Sequence, residues 1–306
     1  MASTQLAAPV QPVDEFVAAR DRTRAGSVLA YCRRNPQLVA GLAIVGLLLG
    51  IGLVGPLFVD VREAQPTSVM IDQPPSQEYP LGSDDQGRNL LAAMVVGIPL
   101  TLRVGFVAGS FGLGIGVVLG LLAGYRGGWI DAIIRMVVDT LMTVPALLVL
   151  IMIAASIKGF ISVWIMGLII ASLAWMNPTR IVRSQVLTLR ERAYVQVARL
   201  SGMSDLEIII RELLPNMLPY LAAAFVGAVS SAVLASIGLE VLGLGPQNDP
   251  TLGMTIYWAN NFNAILRGMW WWWGPPILVV VLLFVGLFLT SAGLDEIANP
   301  RKRKQA

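Results

Sequence analysis

Apolar residues run along the chain in six long blocks, parted by shorter stretches rich in charge, glycine or proline. The blocks are Gln37–Val59, Val104–Tyr125, Met136–Ile157, Phe160–Met176, Asn216–Leu239 and Pro275–Gly293. A hydrocarbon core about 30 Å thick is crossed by roughly 20 apolar helical residues, so each block predicts one membrane-spanning helix. The third holds Asp139 near its start and Pro145 within it, which predicts a kink. Only Lys158 and Gly159 part it from the short fourth block. Six spans predict an all-α polytopic protein with both termini on one side.

The segments between blocks predict the rest of the organisation. Residues 1–36 form a polar tail and 37–59 the first span. Residues 60–103 form a loop with Pro66, Pro74, Pro75 and Pro80, followed by the apolar stretch Asn89–Leu102 bracketed by Arg88 and Arg103. That stretch predicts an interfacial helix. A core of five spans covers 104–293, with a long connection at 177–215 and a Gly-, Asn- and aromatic-rich segment at 240–274. The basic tail is 294–306. Irregular backbone at membrane depth survives only when packed in protein or lining a wet cavity.

Composition sharpens this picture. Hydrophobic residues make up 56% of the 306 and charged residues 13%, with a mean hydropathy of +0.70. Soluble chains carry roughly 25% charged residues, so disorder is excluded and a cytosolic enzyme argued against. There is no histidine and one cysteine, Cys32, which excludes most hydrolase triads, His-type zinc sites and internal disulfides. No lysine follows the glycine-rich pattern of a phosphate-binding loop, so the chain is not expected to hydrolyse ATP itself. No catalytic or metal-ligating set is expected.

Of the 22 Lys and Arg residues, seventeen fall on the termini and the segments sharing their side. Five fall opposite: Arg62, Arg88, Arg103, Lys158 and Arg267. Positive charge collects on the cytoplasmic side, so both termini are expected there. The terminal Arg301–Lys304 run is then topology and not a nucleic-acid patch.

The 177–215 connection is long and not of low complexity. Tyr194, Val197, Ala198 and Leu200 are expected on one helical stripe. Gly202 permits a sharp turn, and Ser204 followed by Glu207 has capping-box spacing. A second short helix, Leu206–Leu214, leads into Pro215. The pattern predicts a helix–turn–helix that presents small and apolar residues to a protein partner.

Here the chain resembles the permeases of ABC importers. Their coupling motif reads E-A-A, three residues, Gly, about nine residues, then I-x-L-P. Its positions fall on Gln196, Val197, Ala198, Gly202, Glu212, Leu214 and Pro215, with departures at Gln196, Val197 and Glu212. Four segments narrow the resemblance to the second-permease type of the peptide/nickel group: Leu81–Asn89, Gly124–Leu148, Ala193–Asn216 and Leu239–Met254. Asn89 stands where that group usually has Asp, and Glu240 where it usually has a small polar residue. The resemblance implies the MetI-like type I importer fold and alternating access. It also implies coupling to the ATPase through Tyr194, Val197, Ala198, Arg199, Gly202, Ser204, Asp205 and Pro215. The implied partners are a homologous second permease, two ATP-binding subunits holding ATP and Mg, and an extracytoplasmic solute-binding protein. The implied place is a bacterial or archaeal cytoplasmic membrane.

Several residues carry two readings. Arg135 and Asp139, four apart on a helix, could form a gate in the path or a plain ion pair at the membrane edge. Glu240, ionisable in an apolar run, could hydrogen-bond a polar solute or cap the Gly243–Gly245 loop. Tyr257, Trp258 and Trp270–Trp273 could be an interfacial belt, or a stacking surface for a sugar, an aromatic solute or the binding protein, with Asn260, Asn261 and Asn263 beside it. Gly105, Gly109, Gly112, Gly114, Gly116, Gly120 and Gly124 predict close helix packing. The leading solute is a short peptide, with an oligosaccharide or nickel as rivals. From other classes, a stand-alone ion-coupled transporter is opposed by the single docking loop, and a membrane enzyme by the missing catalytic cluster.

Overall fold

The computed structural model describes residues 35–298. Cys32, the arginines of the N-terminal tail and the Arg301–Lys304 run lie outside the described residues. The described residues form eleven α-helices and no strand, with one isolated bridge between Ser83 and Asn89.

Helix α1 (Pro36–Val54) starts with Pro36 at its first turn, where a missing N–H costs nothing. A short 3₁₀ turn, Gly55–Leu57, ends it. Helix α2 runs without a break from Leu90 to Arg126, 37 residues and about 55 Å long. The expected separate interfacial helix at Asn89–Leu102 is therefore the first part of α2. The reason is packing: Leu90, Ala92, Ala93, Met94, Val95 and Ile98 are all buried, and no turn chemistry interrupts the run at Arg103.

The third block is bent where its proline predicts a kink. Helices α3 (Gly128–Leu141) and α4 (Ala146–Ser156) meet at 80°, with Pro145 capping α4. The fourth block gives α5 (Val163–Ala174), bent by 45° from α6 (Met176–Leu189), so the first part of the 177–215 connection is helix and not loop. Then come α7 (Ala193–Leu200), α8 (Asp205–Glu207) and α9 (Leu214–Val241). Helix α10 (Leu252–Asn261) lies inside the 240–274 segment, and α11 (Trp270–Ala298) begins five residues before the sixth block. Four helical stretches are long and apolar enough to cross a membrane, or six if each bent pair counts as one span.

Glycine sets the register of the bundle around α2. A side-chain carbon at Gly105 or Gly109 would strike Val229 and Val233 of the antiparallel α9. At Gly112, Gly116, Gly120 and Gly124 it would strike Ala174, Pro178, Val182 and Val186 in turn. Each step of four on α2 meets a step of four along α6, so two helices lie parallel with backbones in near contact. Lipid offers helices no hydrophobic drive to associate, and close van der Waals approach at small residues supplies it. Gly114, on the other face, meets nothing within 4 Å. Helix α11 runs antiparallel to α1, with Leu38 against Gly293 and Gly41 against Thr290 and Gly286. Residues 35 and 298 therefore lie at the same end of the bundle.

At the opposite end, 61–89 folds into a compact loop over the start of α2. Asn89 caps α2 through Oδ1, which accepts from the Leu91 N–H at 3.0 Å, while its Nδ2 donates to Glu63 at 2.7 Å. An Asn here does the capping work of an Asp. Arg267 bridges two carboxylates of the loop, Asp72 and Asp85. Asp84 is 2% exposed and accepts from the Gln86 and Arg88 N–H groups at 3.0 and 2.8 Å.

Burial pushes the Asp84 carboxyl from an ordinary 3.8 up to about 6, although the Arg88 N–H and charge pull it down. With a folded value above the unfolded one, the folded loop holds a proton the unfolded loop has lost. Its contribution is complete below about pH 4 and disappears as pH rises through 6, worth on the order of 3 kcal/mol. Protection of the 81–90 amides, corrected for intrinsic exchange, is expected to fall between pH 4 and 6 and level off above. Asp84→Asn removes this dependence; the same pH slope in both proteins would refute the assignment.

Candidate functional site

The connection between α6 and α9 is held to the bundle by three kinds of contact. Val195 and Ala198 of α7 are buried with Leu121 and Tyr125 of α2, Val182 and Val186 of α6, and Ile208 and Leu213. Tyr125 Oη donates to Asp205 at 2.9 Å, and the Arg199 guanidinium lies 5.8 Å from the centre of the same ring. Arg190 Nη1 donates to the Gly124 carbonyl at 2.9 Å. The end of α2 is thus gripped from both sides of the loop.

Helix α7 ends in a double-bonded stop. Gly202 adopts φ +81°, the Met203 N–H donates to the Ala198 carbonyl, and the Gly202 N–H to that of Arg199. Ser204 then caps α8 with the Glu207 box, its N–H donating to Glu207 at 3.2 Å. A π-type segment, Ile208–Leu213, joins α8 to α9. Pro215 follows it, and a residue without an N–H is accommodated where the regular ladder is already interrupted.

The expected single stripe of Tyr194, Val197, Ala198 and Leu200 divides. Ala198 faces inward and Tyr194 is half-buried, while Val197 and Leu200 point outward, Leu200 at 89% exposure. Leu206 and Ile210 are exposed too. The inward face follows Val195 and Ala198, three apart, because Gly202 turns the chain and lets Ile208 close over that side.

Only some of the remaining candidates lie where the sequence suggests. Asp139 does not pair with Arg135 but with Arg180 of α6 at 3.8 Å, and Asp131 pairs with Arg183. An Arg four residues before an acid is the weaker helical order, and α6 brings arginines alongside both carboxylates. Glu240 is fully buried. Ser236 Oγ and Thr251 Oγ1 donate to its two oxygens at 2.6 and 2.7 Å, and Thr251 Oγ1 in turn accepts from the Met254 N–H at 3.3 Å. It ties the end of α9 to the start of α10 and offers no surface to a solute. The tryptophan run is mostly interior: Trp272 is fully buried among Leu90, Ala259, Ala264 and Met269, with Trp258 and Trp271 against it. Tyr257 is partly buried, while Trp270 is exposed, as are Asn260 and Asn261. The run forms the core under the 61–89 loop because these large rings must fill the space between α2, α10 and α11.

A cavity of about 470 Å³ lies between α2, α4, α5, α6, α9 and α11. Helix α9 presents Ala223, Ala224, Gly227, Ala228, Ser231 and Ala235 to it, and Tyr220, Asn177, Ser291 and Asp295 supply the polar groups. None of these was singled out from sequence. The small-residue spacing along 223–235 is a readable signal for the wall, but Asp295 comes from a helix far along the chain. Among the described residues no group of three or more His, Cys, Asp or Glu is placed to hold a metal.

The family model of the binding-protein-dependent transport system inner membrane component matches residues 116–304, which includes the α6–α9 connection and most of the cavity wall. The chain belongs to this family. A dipeptide transport system permease protein of Alkalihalophilus pseudofirmus is 33% identical over 77% of this chain and 76% of its own length. Oligopeptide transport system permease proteins of Mycobacterium bovis and Bacillus subtilis are 31% and 28% identical, covering 73% and 89% of this chain and 77% and 88% of their own lengths. Among solved structures, a chain of the MetNI methionine ABC transporter in inward-facing conformations is 24% identical. It covers 67% of this chain and 94% of its own length with a TM-score of 0.51, and so shares the fold. This permease therefore has the all-helical MetI-like architecture expected from its motifs.

Proposed function

We propose that this chain is one permease subunit of an ATP-driven importer that takes up short peptides across a bacterial or archaeal cytoplasmic membrane. Its docking loop lies on the cytoplasmic side with both termini. The observation that carries the reading is the loop itself. Its inner face is locked to α2 and α6, while Val197, Leu200 and Leu206 stand outward on a rigid mount. Apolar side chains held out on polar anchors suit a groove on an ATP-hydrolysing subunit, whose movement they would carry to Tyr125 and so to the whole length of α2. The chain itself performs no chemistry; nucleotide and Mg belong to the partner ATPases. A second, homologous permease completes the path, and a solute-binding protein delivers to the opposite mouth.

The peptide relatives support the solute class. The tryptophan run that would favour an oligosaccharide is turned inward apart from Trp270. Leu200→Glu places a charge on the docking face without touching the buried side. In the complete assembly it is expected to lower ATP-driven peptide uptake by on the order of tenfold or more, since leaving a charge in an apolar contact costs several kcal/mol. Co-purification of the ATPase subunits should fall with it, while the chain stays in the membrane at normal level. Unchanged uptake in the variant, or uptake by the purified chain alone under an ion gradient, would overturn the reading.

A further inference from the structure

The cavity behind the docking loop is polar at one end only. At the start of α9 it is lined by Tyr220, with Ser291 and Asp295 from the end of α11 and Asn177 from the start of α6. Ser291 Oγ donates to the Ala223 carbonyl at 3.3 Å, which fixes Ser291 and Asp295 at the same level as Tyr220. Tyr220 and Asp295 thus line the same end of the cavity. Away from that end the wall turns to Ala232, Ala235, Ala146 and Leu150, with Ser231 between.

Among the described residues Asp295 is the single charged one lining this cavity. The basic residues nearest in sequence to its α6 wall do not offset it. Arg180 and Arg183 face an adjoining cleft, where Asp139 and Asp131 engage them. Among the described residues no Arg or Lys forms an ion pair with Asp295. Asp295 is exposed at the mouth, and a carboxylate at the opening of a cleft with apolar walls focuses its field into the opening and raises the local concentration of cations there.

We infer that Asp295, with Tyr220 beside it, is a charge-selecting group at the docking-loop end of the path, favouring solutes that carry an ammonium or guanidinium side group over anionic ones. The inference rests on the peptide-import reading and adds the charge class of the peptides. Tyr220, Asn177 and Ser291 supply neutral hydrogen-bonding groups for the peptide backbone, which varies little among peptides. Asp295 acts on what does vary.

The test uses the complete importer, with its second permease, ATPases and binding protein, in proteoliposomes. Initial uptake of Ala-Lys-Ala and Ala-Glu-Ala is measured for wild type, Asp295→Asn, Asp295→Glu and Asp295→Arg. The same binding protein serves all four, so its own preference cancels in the comparison of uptake ratios. The Lys-to-Glu peptide ratio is expected to fall by on the order of tenfold in Asp295→Asn, the low end of the range for charge-lined clefts. It should be kept in Asp295→Glu and inverted in Asp295→Arg. Equal scaling of both peptides in every variant would mark Asp295 as a contact to the second permease and overturn the inference alone. An unaltered ratio and rate would do the same. Failure of the wild-type assembly to import either peptide overturns the peptide reading and this inference with it.

Discussion

Gly116→Leu is expected to prevent this permease from holding its folded form in detergent, while Gly114→Leu, two residues away, leaves it intact. A side-chain carbon at Gly116 would lie 2.5 Å from Pro178 and 3.0 Å from the Thr179 nitrogen, where real atoms do not approach. Pro178 is rigid and Thr179 is held by its own helix, so neither can move aside alone. The α2 and α6 backbones must part, and that loosens the contacts at Gly112, Gly120 and Gly124 together. Overpacking of this kind costs about 3 kcal/mol at least, a large share of a marginal stability. At Gly114 there is only open space, and the larger side chain points away from the bundle. Melting midpoints and the monodisperse fraction after solubilisation check the pair. Equal behaviour of the two variants would refute the parallel register of α2 and α6.

Glu240→Ala is expected to destabilise the protein by about 1–3 kcal/mol, the range for leaving buried hydrogen-bonding groups without their partner. Its carboxyl group is enclosed, and the Ser236 and Thr251 hydroxyls converge on it. Gly245 and Gly253 make the room, since a side chain on Gly245 would lie 2.6 Å from the Glu240 Cγ. Glu240→Gln should fall between the two proteins. Its carbonyl still accepts from one hydroxyl, and the other must reverse to receive the new NH₂, which keeps most of the network. The expected readout is a lowered melting midpoint in Glu240→Ala with a smaller drop in Glu240→Gln. A Glu240→Ala protein that melts like wild type and has lost only solute affinity would return Glu240 to the path.

Much of the docking loop could be read from the chain. The turn at Gly202 and the Ser204–Glu207 box depend on neighbours within three residues, and local chemistry alone makes them. The facing of α7 could not be read in the same way. Which of Val195 and Val197 turns inward depends on Ile208 and Tyr125, which no local pattern places beside them. The same holds for the ion pairs. Spacing within one helix proposed Arg135 for Asp139, and a second helix lying alongside supplied Arg180 and Arg183 instead.

The bends follow this division as well. Apolar length marks how much chain can enter a membrane, and Pro145 marks where the third block kinks, but neither gives the 80° between α3 and α4. Likewise the tryptophan run is equally consistent with an exposed belt and a buried core until α2, α10 and the 61–89 loop close around it.

The order of apolar blocks, the bias of positive charge, the small residues along α2 and the turn chemistry of the docking loop are all properties of short sequence windows. They were enough for an all-helical membrane protein with a helix–turn–helix connection, and the resemblance of its motifs supplied the permease reading. The cavity, its one carboxylate and the enclosure of Glu240 were decided only in three dimensions. Each needs side chains from helices tens of residues apart to meet, and burial is a property of what surrounds a group, not of the group.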